Sequence, residues 1–204
     1  MSRVRAWEVI ASSATLAVGG LVALAVLFSG DATYAEIVRP DEEKAEVHRG
    51  WIAYVTGRSG AQPGGSGAFT SLERAHMADV RGVFIAAQVA AVVAGLAAAG
   101  LAVAAWRRGA LARLVRAAAL AALATVGVVG ILAAVAFDAA FLLFHQVFFP
   151  QGNFLFAPDS NLLAIYPESY FYGVSLRIGA SFVAPAGVLA VVSHAALRRR
   201  SASA

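Results

Sequence analysis

The sequence predicts an all-α fold: a four-transmembrane-helix bundle carrying an extracytoplasmic cap of short amphipathic helices and an aromatic-rich loop. Two observations predict it. Four stretches, Val9 to Gly30, Gly82 to Trp106, Ala117 to Phe137 and Ile178 to Leu197, contain no Lys, Arg, Asp or Glu. A helix rises ~1.5 Å per residue, so ~20 apolar residues cover the ~30 Å hydrocarbon core of a bilayer. The composition agrees, with 60% apolar and 14% charged residues and a mean hydropathy of +0.73. A soluble domain would sit nearer ~45–50% and ~25%.

The elements follow in order. Val9 to Gly30 exceeds the ~7–15 residues of a signal-peptide core and precedes no small-residue cleavage site, so it reads as a retained helix. Next come Pro40 and DEEKAEVHRGWIAYV. Proline suits a first helical turn, acids suit the positive end of the helix dipole, and Val47, Trp51, Ile52 and Val55 share one stripe. The expectation is a short amphipathic helix lying on the membrane. The run GRSGAQPGGSG reads as a flexible connection. Order returns at Thr70 and Glu73, whose capping-box spacing starts a helix that continues into the second span. With the helices extended to their natural ends, the spans become approximately 9–30, 82–106, 117–144 and 171–197. They leave outer loops at 31–81 and 145–170, within a single membrane domain covering 1–204.

Basic residues set the orientation. Arg3 and Arg5 precede the first span, Arg107, Arg108, Arg113 and Arg116 lie between the second and third, and Arg198, Arg199 and Arg200 follow the fourth. Only Glu8 among the acids falls on that side. The positive-inside rule places both termini in the cytoplasm. A pI near 10.0 would otherwise suggest nucleic acid, but these arginines flank spans and read as topology signals, so no nucleic-acid partner is expected. Cysteine is absent, which excludes disulfides, thiolate metal sites and a cysteine nucleophile.

The outer layer holds the candidate chemistry. His76 stands just above the second span with Asp79 one turn below it, and His145 ends the third helix at the corresponding height. Asp138, seven residues before His145, shares nearly the same helical face. Asp138, Arg81 and Arg177 reach the outer edge of the hydrocarbon core, where ionisable groups pair or line a polar cavity. Asp138 is expected to pair with Arg177 or Arg81. His48 on the amphipathic helix and His194 near the cytoplasmic end are less informative. The segment FHQVFFPQGNFLFAPDSNLLAIYPESYF lies within residues 141–172, which carry ten of the chain's twenty aromatics. An interfacial belt explains some of these, but not the prolines, the Gly152–Asn153 pair or Glu168 that interrupt them. Irregular backbone at membrane depth survives only when packed in protein or lining a cavity, which points to a folded cap dipping towards the lipid.

HMADV at the head of the second span, together with FHQVFFPQGNFLFAP and YPESYF before the fourth, resembles a family of integral membrane proteins. Its characterised members are the lipoprotein intramolecular transacylases. The resemblance covers essentially the whole chain in topology and is specific in these outer blocks. One departure is Phe154, where the family block usually has tryptophan. The resemblance implies transfer of an acyl chain from the diacylglyceryl group of a lipoprotein's N-terminal cysteine to that cysteine's own α-amine. It further implies that His76 and His145 are the functional histidines, on the extracytoplasmic side of a bacterial cytoplasmic membrane. The expected partners are a diacylglyceryl-modified lipoprotein and membrane lipid; the oligomeric state stays open. Asp79, Asp138, Asn153, Glu168, Arg177, Arg81, Phe148 and Phe149 are candidates for supporting the reaction or binding substrate.

The chemistry suits this inventory. An α-amine ordinarily titrates at ~7.7–8.0, and a histidine near ~6.5 takes its proton at modest cost. Donor and acceptor share one molecule, so no cofactor or metal is expected and the enzyme mainly supplies orientation. Two other classes stay open at this point: a non-catalytic subunit or lipid- or lipoprotein-binding scaffold, and a haem-binding membrane protein using the two outer histidines as axial ligands.

Overall fold

The computed structural model describes residues 3–65 and 67–202, with side chains through residue 199. Ser66 in the glycine-rich run and the side chain of Arg200 therefore lie outside the described residues. Eight helices form among the described residues: α1 (Ala6–Phe28), α2 (Asp31–Val38), α3 (Glu42–Val55), α4 (Ser71–Arg107), α5 (Leu111–Val135), α6 (Phe137–Phe148), α7 (Asn161–Ile165) and α8 (Glu168–Ala202). Four of them, α1, α4, α5 and α8, are long and apolar enough to cross a membrane. Many of their apolar side chains remain uncovered by protein, as Val92 (64% exposed) and Val188 (61%) illustrate, which is what a lipid-facing helix requires. The protein is a multi-pass membrane protein. α4 has 37 residues, roughly 55 Å at ~1.5 Å per residue, so about three turns stand beyond its charge-free stretch.

The third span departs from the expected continuous helix over 117–144. α5 ends at Val135, Ala136 takes a non-helical φ of −135° and ψ of 51°, and α6 begins at Phe137. Asp138 then lies in the first turn of α6, where its charge suits the positive helix end. An open cavity of about 740 Å³ lined by Ala134 to Ala139, Glu168, Ser169 and Tyr172 flanks the interruption. Such a cavity is the setting in which broken backbone is tolerated in a membrane.

The chain forms two compact units. One comprises the residues up to 24, 89–131 and those from 178 onwards; the other comprises 25–88 and 132–177. In the first unit, Ala122, Phe182 and Ala186 form a cluster with Leu16, Leu21 and Leu24. Gly20 lets α1 meet α8 closely, because a Cβ there would come within 2.8 Å of the Phe182 ring. Glu8, nearly fully buried, accepts from the Arg108 guanidinium at 2.6 Å and from the Arg5 amide at 2.9 Å. These contacts fix the first turn of α1 to the residue that follows α4.

The second unit has a protein core of its own. Trp51, Ile52 and Val55 of α3 are buried with Tyr34, Phe69, Leu162, Ile165 and Tyr166. This corrects the expectation that the amphipathic helix lies on the membrane: its apolar stripe is covered by protein. Asp41 caps α3 by accepting from the Lys44 amide at 2.8 Å. The glycine-rich run is not the loose connection its composition suggests. Arg74 donates to the carbonyls of Pro63, Gly64 and Gly65, and Gln62 donates to Tyr54 and to the Arg74 carbonyl. Those bonds supply the order that glycine and serine lack.

His48 also proves more than a surface residue. It is fully buried, stacks on Tyr34 at 3.8 Å between centroids, and places Nδ1 3.1 Å from the Tyr166 hydroxyl. Burial lowers its pKa to about 4, against the opposing pull of Asp31. The folded state thus binds this proton less readily than the unfolded chain, whose histidines titrate near ~6.5. The stability that His48 contributes is whole above pH ~6.5 and drains as the pH falls towards about 4. Amides in residues 34–55, once their rates are corrected for the intrinsic slowing of exchange in acid, should therefore show lower protection factors at pH 5 than at pH 7, and His48→Gln should flatten that difference. An unchanged pH response in the variant would assign the acid sensitivity to another group.

Candidate active site

Three side chains on the N-terminal part of α4, Glu73, His76 and Asp79, follow one another at intervals of about one turn. The capping box places them. The Glu73 amide donates to Thr70 Oγ1 at 3.2 Å while the Thr70 amide donates to Glu73 Oε2 at 2.7 Å, starting the helix where the sequence predicts. His145 stands in the last turn of α6. The two imidazoles meet with ring centroids 6.0 Å apart and planes 19° from parallel.

Aromatic rings enclose the pair. Phe149, 2% exposed, touches both, with centroids 4.7 Å from His76 and 5.5 Å from His145. Phe156 packs edge-on against His76 at 5.4 Å, and Phe154 and Phe141 lie 5.1 and 4.2 Å from His145. With Phe149 wedged against both rings, a macrocycle does not fit between them as the haem alternative would need. Phe154, the departure from the family's tryptophan, still presents a ring to His145.

His76 is buried and lies six residues before the charge-free stretch of α4. Burial lowers its pKa to about 4, and the neighbouring His145 pushes the same way; a hydrogen bond with Asn153 and the charge of Asp79 oppose them. Its Nδ1 is buried and has no hydrogen-bond partner among the described residues. His76 is therefore a neutral imidazole with a buried nitrogen that no other side chain engages among the described residues. His145 donates from Nδ1 to the Phe141 carbonyl at 2.8 Å, which fixes the ring and its tautomer and leaves Nε2 as the second ring nitrogen.

The polar residues around the pair sort into two groups. Asp79 Oδ2 accepts from Gln151 at 2.7 Å and from Asn153 at 2.6 Å, so the candidates Asp79 and Asn153 meet one turn beyond His76 on α4, and Gln151 with them. Glu73 Oε1 accepts from the Ser160 hydroxyl at 2.5 Å and the Leu162 amide at 2.9 Å. Burial pushes its pKa up, but the bonds from Ser160, Leu162 and Thr70 outweigh this and hold it lowered. Residues 149–162 are thus strapped to α4 one turn on either side of His76.

Other candidates stand elsewhere. Asp138 neighbours the carboxyl of Glu168, with which it lines the cavity beside Ala136, and not an arginine. Arg177 pairs with Glu36 at 2.7 Å and donates to the Gly173 carbonyl. Arg81 donates to the carbonyls of Tyr54 and Ser59 and lies 4.7 Å over the Tyr54 ring, which makes it a cap for the C-terminal end of α3. The expected ion pair of Asp138 with Arg177 or Arg81 is therefore absent: each arginine is held by other acceptors. Phe148 is 47% exposed and packs on Phe144. The sequence reading missed Glu73, Gln151 and Phe156 as parts of the site. Glu73 alone carried a signal, its capping-box spacing, but that pointed to a helix start and not to a tie across the chain.

The family described as lipoprotein intramolecular transacylase Lit matches residues 9–171. Among solved structures, the membrane-integral lipoprotein intramolecular transacylase Lit from Bacillus cereus is similar in fold, with a TM-score of 0.81 at 14% identity over 96% of each chain. Two variants of the Bacillus cereus protein, with one histidine replaced by arginine or by alanine, align with TM-scores of 0.74 and 0.75 at 11% identity, covering 97% and 96% of this chain and 94% of theirs. No curated protein matches the sequence.

Proposed function

Because the chain belongs to the lipoprotein intramolecular transacylase family, membrane enzymes that act on lipoproteins, we propose that His76 and His145 carry its acyl transfer. The acyl chain moves from the S-diacylglyceryl group to the α-amine of the same N-terminal cysteine. The observation that carries this reading is the pair of imidazoles 6.0 Å apart inside a ring of phenylalanines.

The steps balance with these two groups. The amine nitrogen attacks the ester carbonyl, and a new carbon–nitrogen bond forms as the bond to the glyceryl oxygen breaks. His76, held neutral, takes the proton that the nitrogen sheds. The step calls for the imidazolium form of His145, which, oriented through Nδ1 by the Phe141 carbonyl, gives its Nε2 proton to the glyceryl oxygen as it leaves. Return of a proton from His76 to His145 resets the pair. The products are an amide and a free hydroxyl, and the net change in protons is zero. The phenylalanine enclosure keeps out water that would hydrolyse the ester, and tethering donor to acceptor supplies the orientation.

We place this site outside the cytoplasm, in a bacterial cytoplasmic membrane, on the strength of the arginine distribution. The cysteine-free sequence makes the test simple. Glu43→Cys should react with an impermeant maleimide on intact cells, whereas Arg107→Cys should react only after permeabilisation. Labelling of Arg107→Cys in intact cells would reverse the orientation. For the reaction, purified protein given a synthetic S-diacylglyceryl cysteinyl peptide should yield a product of identical mass whose fragments carry one acyl group on the cysteine nitrogen. A product heavier by one water in total, or no change, would contradict the transfer.

A further inference from the structure

Asp79 is used on only one of its two oxygens. Gln151 and Asn153 both donate to Oδ2, and Oδ1 receives no hydrogen bond among the described residues. An ionised carboxylate offers about four lone-pair sites, so half of this one remains open. Asn153 is held by Asp79 and Gln151, donating to the first and accepting from the second, beside His76, whose pKa it works to raise. A carboxylate with an open oxygen thus stands one helical turn from the unpartnered nitrogen of His76.

We propose that Asp79 is the seat of the substrate's N-terminal amino group, binding it through Oδ1. The inference rests on the transacylase reading and names the group that selects an unacylated N-terminus. The two amides already on Oδ2 show that the carboxylate takes N–H donors in this geometry, and a primary amine presents the same donors. Holding one N–H on Asp79 leaves the amine's second N–H for His76 and turns its lone pair towards the ester. As the carbon–nitrogen bond forms, positive charge develops on the nitrogen, and a fixed carboxylate stabilises that charge more than it does the starting amine. An N-acylated product has lost both the basic lone pair and one N–H, so it is held less well and leaves.

Binding of two unreactive ligands tests this. Both are peptides bearing an S-dialkylglyceryl ether in place of the diester, which blocks transfer; one has the free α-amine, and the other is its des-amino analogue. The wild-type protein should prefer the free amine by roughly tenfold or more, the scale of one hydrogen bond to a charged group. Asp79→Asn and Asp79→Ala should both reduce that preference to within about twofold, while binding of the des-amino ligand changes little. A preference that survives in both variants would overturn the proposal, as would equal binding of the two ligands by the wild type. If neither ligand binds the wild type at all, the transacylase reading falls and this inference with it.

Discussion

Alanine at His76 or at His145 should each lower formation of the N-acylated product by at least ~10²-fold, the usual contribution of a general acid or base. The double variant should be scarcely worse than either single one. Groups that act as a unit are strongly non-additive, because the loss of one leaves the other little to do. The geometry sharpens the expectation for each. His76→Ala removes a neutral nitrogen with no partner among the described residues, and His145→Ala removes a ring already oriented by the Phe141 carbonyl. Both variants should still insert, since neither ring holds the two helices by a hydrogen bond to the other. Full activity in His145→Ala at unchanged expression would leave a lipoprotein-binding scaffold as the better reading.

The largest loss of stability from a single polar change should come from Glu73→Ala. Glu73 is 2% exposed and accepts from Thr70, Ser160 and Leu162, the last two lying 87 and 89 residues further along the chain. Removing the carboxylate orphans several buried donors at ~1–3 kcal/mol each, for a total of roughly 3–5 kcal/mol. Glu73→Gln, which keeps the shape and one acceptor, should cost less. Glu43→Ala, an exposed change on α3, should stay within about ±0.5 kcal/mol. Thermal unfolding in detergent orders the three. Equal melting temperatures for Glu73→Ala and Glu43→Ala would mean that the strap over His76 is held by other contacts.

The membrane helices were legible because length and the absence of charge suffice to identify a span. The histidine pair was legible for a related reason: His76 and His145 sit at equivalent heights on helices whose registers can be counted. Residues that depend on distant partners were not. Glu73 reads as a local cap, and nothing in TSLERAHMADV announces Ser160 or Leu162. Asp138 seemed to need an arginine, but Arg177 reaches Glu36 and Arg81 caps α3. The break at Ala136 falls in a run of alanines and valine with no proline or glycine to mark it, so only the tertiary setting reveals it. His48 is a similar case. Its stacking on Tyr34 and contact with Tyr166 join segments 14 and 118 residues away, beyond the reach of any helical pattern.

The central claim is that this chain moves an acyl group onto the lipoprotein amine through the two histidines. Mass spectrometry of lipoprotein N-termini tests it most directly, in cells that lack N-acylation and express the wild-type chain, the His145→Ala chain or neither. The account predicts cysteines with one acyl group on nitrogen and one left on the glyceryl group in the wild-type cells alone. Diacylglyceryl cysteines with free amines in all three, despite normal membrane insertion of the wild-type chain, would contradict it.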